Sequence, residues 1–108
     1  MNCGTSGLFP ISSPHFILGV MKQIWKFPLK VADLQTISMP VDTKLLSVQS
    51  QNGIMCLWAL VDPQHPRSEF RAIRIFGTGL KCDVAPDRFI GTVQIGQFVW
   101  HVFDGGVL

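Results

Sequence analysis

Charge is the first thing this sequence has little of. Lys, Arg, Asp and Glu make up 15% of its 108 residues, while apolar residues make up 47%. Soluble domains usually carry about 25% charged residues. This balance excludes intrinsic disorder, which needs low hydrophobicity and high net charge. A net charge of +2 excludes a basic nucleic-acid arm and an acidic tail. No apolar run reaches the roughly 18 residues of a membrane-spanning helix. Sulfur is also scarce: Cys3, Cys56 and Cys82 are odd in number and include no C-x-x-C pair. A disulfide framework or a closed zinc site needs more ligands. Three reduced thiols in a cytoplasmic protein are therefore expected, with Cys56 in an apolar run acting as a small core residue.

Helical periodicity is missing as well. No ten-residue stretch carries it between caps, and Val31–Thr36 allows one helical turn at most. There is no internal repeat and no low-complexity tract. All sixteen charged residues lie after position 20. The first twenty residues lack the positive start of a secretory signal, and Pro10 and Pro14 interrupt their apolar residues. The expectation is a domain that starts at Met21, behind a poorly ordered leader or start-site extension over residues 1–20. An extra strand at Phe16–Val20 is the alternative.

What is present is a period of two. Met21–Phe27 alternates, with Trp25 and Phe27 on one face and Lys22, Ile24 and Lys26 on the other; Pro28 ends it or puts it at an edge. A short strand follows near Gln35–Met39 and stops at Pro40. Lys44–Gln51 and Ile54–Val61 flank Asn52-Gly53, the pair that a type I′ hairpin turn requires. A two-residue loop there sets Val48 opposite Leu57, Ser47 opposite Trp58 and Leu46 opposite Ala59. Ile54–Val61 is apolar on both faces, which predicts a central strand covered on both sides. Phe70–Phe76 is a further strand, with Arg71 and Arg74 on opposite faces and a bulge expected at one of them. Leu80–Asp87 reads as a loop. Arg88–Ile95 and Phe98–Phe103 pair through Gly96-Gln97, a type II′ turn that sets Val93 against Trp100 and Thr92 against His101. Asp104-Gly105-Gly106 is expected to end the ordered chain.

Six or seven short strands at this spacing predict an all-β fold, mainly antiparallel. The expected form is a small sandwich or barrel with little or no helix, spanning residues 21–104 with a tail at 105–108. Three tryptophans and six phenylalanines after position 20 supply core bulk, since each aromatic buries roughly 150–250 Å².

Several segments in combination carry a resemblance. They are Met21-Lys22-x-Ile24-Trp25-Lys26-Phe27, Leu46-Ser47-Val48-Gln49, Cys56-Leu57-Trp58-Ala59-Leu60-Val61-Asp62, Phe76-Gly77-Thr78-Gly79 and Trp100-His101-Val102-Phe103. Together they resemble a small domain family of unknown function found in phages, prophages and bacteria, over roughly Met21 to Phe103. The resemblance implies a domain start at Met21 and a phage or prophage source, and no activity. Relatives often continue the Phe-Gly-Thr-Gly turn with His-Pro, where this chain has Leu80-Lys81.

Few residues suggest chemistry. Gly77-Thr78-Gly79 has the makings of a backbone nest for an anion, with Arg74, Lys81 and Arg88 as nearby cations. The further glycines, the Lys-Ser/Thr and the helix of a phosphate loop are absent. His101 lacks a second catalytic group at a telling spacing, and a structural histidine is the plainer reading. Cys82-Asp83 with Asp87 falls short of a metal loop. Lys22, Lys26 and Lys30 make one basic cluster and Arg67, Arg71 and Arg74 another; a solvated edge protected by lysines is a better reading than a stacking nucleic-acid groove. No cofactor, metal, nucleic acid or membrane is implied.

The expectation is therefore a non-catalytic binding or assembly module, a homo-oligomer or the binder of a host protein. The second face of its strands supplies the interface: Ile24, Leu45, Ile90, Val99 and Phe103. The alternative is a small anion- or nucleotide-binding protein, or a small enzyme, built on the Gly77–Gly79 turn.

Overall fold

A computed structural model describes residues 21–108, and the leader and its Phe16–Val20 alternative lie outside the described residues. Seven strands follow in order: β1 (Gln23–Pro28), β2 (Leu34–Pro40), β3 (Lys44–Gln51), β4 (Ile54–Val61), β5 (Ser68–Gly77), β6 (Phe89–Ile95) and β7 (Phe98–Val107). One three-residue 3-10 turn, Pro86–Arg88, precedes β6. All pairings are antiparallel. A three-stranded sheet runs β1-β4-β3 and a four-stranded sheet runs β2-β5-β7-β6, so the fold is a seven-stranded sandwich.

The hairpins form where local chemistry dictates. Asn52 and Gly53 take φ of 53° and 78°, the two positive values of a type I′ turn. Val48 pairs with Leu57 and Ser47 with Trp58. Gly96 has φ 59° while Gln97 has no positive φ, as a type II′ turn requires. Val93 pairs with Trp100 and Thr92 with His101. Val31–Thr36 forms no helical turn: bends at Val31–Asp33 lead straight into β2.

The inner faces meet in one core of Leu29, Val48, Met55, Leu57, Ile73, Ile75, Val93 and Val102, with Phe27, Ile37, Leu45, Ile90, Ile95 and Trp100 packed against it. Edge strands β3 and β6 touch each other across the two sheets. Gly91 makes this approach possible, because a Cβ there would lie 2.9 Å from Val48 Cγ1.

Three bulges overturn expectations from simple alternation. Leu45, not Leu46, pairs with Ala59, and the register shifts between Leu45 and Ser47. The extra residue, Leu46, points outward and Leu45 turns into the core. In β6 the register shifts between Phe89 and Gly91, which likewise carries Ile90 into the core. Leu45 and Ile90 are therefore not outer-face residues, because each bulge moves its strand's alternation by one. The third bulge was expected at Arg71 or Arg74 but lies across from them on β7, where Gly105 is the extra residue. Asp104-Gly105-Gly106 does not end the ordered chain, and residues 105–107 are no tail. Asp104 Oδ1 accepts from the Gly106 N–H at 2.8 Å, Gly106 takes φ 93°, and Arg71 pairs with Val107. A Cβ on Gly105 would lie 2.9 Å from Ala72 Cβ and 3.0 Å from its carbonyl oxygen, so the run is glycine because a bulge needs that approach.

Candidate functional site

The residues singled out around the Gly77 turn are divided among separate clefts. The turn itself is a type II β-turn: the Leu80 N–H donates to Gly77 O at 3.2 Å, with Gly79 at φ 92°. The Thr78 hydroxyl lies 2.8 Å from His101 Nε2, and the Thr92 hydroxyl lies 3.0 Å from Nδ1. His101 is thereby held on both ring nitrogens by hydroxyls from the turn and from β6. A hydroxyl against an imidazole that is oriented by a third group has the layout of a nucleophile–base pair, although the orienting group here is neutral. Sequence reading paired Thr92 with His101 and named Thr78 in the turn, but not the contact of Thr78 with His101, which crosses from the end of β5 to β7.

Gly77 and Thr78 line a shallow cleft with Leu80, Gln97, Phe98, Val99 and Trp100. Arg74 and Lys81 line a second one of about 750 Å³ with Asp33, Phe76, Leu80, Cys82 and Asp83. There Arg74 is engaged already: its guanidinium sits 5.0 Å from the Phe76 ring centroid, and Nη2 meets Asp83 Oδ1 at 3.1 Å. Arg88 is exposed and lines a third and a fourth cleft, at the other end of the loop.

One of those, about 380 Å³, lies where the bulges converge, among Thr43, Lys44, Leu45, Leu46, Arg71, Asp87, Arg88, Phe89, Ile90 and Asp104. At its back is Arg71, 8% exposed. Its Nη1 donates to Asp104 Oδ2 at 3.2 Å, and Nη2 donates to Glu69 Oε2 at 2.9 Å and to Thr43 O at 3.1 Å. Two carboxylates thus neutralise a buried guanidinium, which ties β5, β7 and the β2–β3 turn together. The arrangement is structural, since little charge remains for an outside anion. Among the described residues no three His, Cys, Asp or Glu gather as a metal would need.

The outer faces of the two sheets differ. On the β2-β5-β7-β6 sheet, Phe76, Phe103 and Phe89 form a chain of edge-on contacts at 5.7 and 5.4 Å. The loop Leu80–Arg88 runs beside this face, tied to it by the Asp83–Arg74 pair, and its Val84 and Ala85 line an open cleft with Leu34, Ala72 and Arg74. Phe103 and Val99 are half-buried there and Phe76 is 8% exposed.

On the β1-β4-β3 sheet, register puts Ile24, Lys26, Ile54, Cys56, Trp58 and Leu60 on the outer face. No element among the described residues packs over it. Ile24 is 61% and Ile54 53% exposed, and Trp58 and Leu60 are half-buried. Lys26 Nζ reaches across the central strand to Gln51 Oε1 at 2.6 Å, above Cys56, which is buried as its apolar surroundings led one to expect. Strand β4 is central as expected, yet its outer side has no second cover from the described chain.

Residues 21–107 match a family described as a domain of unknown function, DUF7352. No curated protein matches the chain, and no solved structure does.

Proposed function

For a chain that belongs to the DUF7352 family of domains of unknown function, we propose a non-catalytic binding and assembly module that docks a protein partner on the outer face of the β1-β4-β3 sheet. The observation that carries this reading is the open strip of Ile24, Ile54, Trp58 and Leu60. Exposed apolar patches of this kind mark partner surfaces. Charge narrows the partner. Strands β1, β3 and β4 contain Lys26 and Lys44 and no Asp or Glu. Two copies of this face would set lysine against lysine, whereas an apolar surface rimmed by carboxylates is complementary. Two lysines are too few for a nucleic-acid track. The resemblance noted from sequence supports a phage or prophage source, with a host protein as partner in the bacterial cytoplasm.

Selection of a random peptide library on the whole chain tests this. Enriched peptides should combine aromatic or aliphatic residues with flanking Asp or Glu, and should lose at least tenfold in affinity against Ile24→Glu. Indifference to that variant, or salt-sensitive binding of an oligonucleotide in place of peptides, overturns the reading. The Thr78–His101 contact favours a second reading, an anion site or small enzyme at the Gly77 turn. Titration with inorganic phosphate, followed by the His101 ring resonances, tests it.

A further inference from the structure

We infer that the edge of β2 left unpaired among the described residues is a self-association site, where a second copy of this chain adds its own β2 antiparallel about a two-fold axis at Thr36. The inference rests on the assembly reading above but uses a different surface.

The sandwich has four strand edges. Those of β3 and β6 lie against each other. That of β1 carries a lysine, Lys26, in mid-strand, so a second copy paired there would bring like charges together. The edge of β2, Leu-Gln-Thr-Ile-Ser-Met-Pro, has no charge, no bulge and no proline before Pro40. Among the described residues its pairing partner is β5 alone.

Hydrogen bonds fix which groups are free. At one end Ile75 N–H donates to Asp33 O at 3.1 Å, and at the other Val41 N–H donates to Arg67 O at 3.0 Å. Antiparallel ladders alternate. Between those brackets Gln35, Ile37 and Met39 therefore direct N–H and C=O toward β5. Leu34, Thr36 and Ser38 direct theirs away from the molecule.

Those three residues are self-complementary. With a two-fold axis at Thr36, Thr36 pairs with its own copy, and Leu34 and Ser38 pair with each other's copies. Every free N–H and C=O of the three is then matched, and Pro40, which has no N–H, falls at the end. No charged residue lies in the paired stretch to repel its copy. Side chains agree with the register. Leu34 and Phe70 are each 58% exposed on the same outer face, and Ser38 pairs with Phe70. The incoming Leu34 lands beside the small Ser38, within reach of Phe70. Two four-stranded sheets then join as one of eight.

The test uses the whole chain and its sedimentation at tens of micromolar. Wild type should run as a dimer. Thr36→Pro removes only an outward N–H, a place where an edge strand tolerates proline. It should weaken the dimer at least tenfold and leave the β circular dichroism unchanged. Thr36→Lys, which sets like charges face to face, should do the same. With Cys3 and Cys82 changed to Ser, Thr36→Cys should form an intermolecular disulfide under mild oxidation. Ser38→Cys should not, because its partner is Leu34. A wild-type monomer, a dimer indifferent to Thr36→Pro, or no Thr36→Cys cross-link overturns the inference. A Thr36→Pro monomer in which residues outside 21–108 turn out to cover the edge overturns it also. Peptide binding by Thr36→Pro and dimerisation by Ile24→Glu separate failure of this site from failure of the docking face.

Discussion

The two sheets of this sandwich meet the same problem in different ways. Both have apolar residues on both faces, and one inner face each is all that a single core can hide. The four-stranded sheet shields part of its second face with its own chain: Asp83 of the Leu80–Arg88 loop pairs with Arg74, and Phe76 and Ala72 are buried, while Leu34 and Phe70 stay 58% exposed. The three-stranded sheet has no such loop among the described residues, and its central strand β4 shows Trp58 and Leu60 to solvent, with Ile24 and Ile54 more exposed still. An apolar second face is thus no sign of a partner by itself. It becomes one only after the chain's own loops have been placed.

Matched truncations on the two outer faces break this comparison most directly. Phe76→Ala should destabilise the protein by about 3–5 kcal/mol, the usual loss for a buried phenylalanine, read from urea unfolding. Ile24→Ala, on the open face, should fall within about 0.5 kcal/mol of wild type. Similar losses for the two would mean that Ile24 is covered after all. Smaller in effect is Gly91→Ala, which forces a methyl group against Val48 where the sheets close; about 1–3 kcal/mol is expected for overpacking there. A neutral outcome would show that β3 and β6 can part without cost. The smallest effect concerns the strap. Asp83 is 77% exposed in its pair with Arg74, so Asp83→Ala should cost at most about 1 kcal/mol. Its signature is faster amide exchange over residues 80–85, with the core amides unchanged. Exchange that quickens across β5 and β7 as well would make the loop part of the core.

Much of the fold was legible because its signals are local. Asn52-Gly53 and Gly96-Gln97 specify their turns by backbone preference, and a two-residue loop sets the register of its strands for several residues. That is why Val48–Leu57 and Thr92–His101 could be paired in advance. Legibility ended at the bulges. Leu45 and Ile90 read as outward because alternation was carried past Leu46 and Phe89, and one added residue reverses every face beyond it. Asp104-Gly105-Gly106 read as an ending because glycine punctuates chains, whereas here it admits a close approach to Ala72.

Composition and period two by themselves determined an antiparallel β protein, two of its hairpins and most of its core. Tertiary structure decided which strands share a sheet, since that depends on pairings far apart in the chain, such as β1 with β4. It also decided that Thr78 meets His101, that Arg71 is buried between two carboxylates, and that the Leu80–Arg88 loop is tied to one outer face and not to the other. None of these has a local signature, because each is set by where the sheets stack and by what remains uncovered once they have.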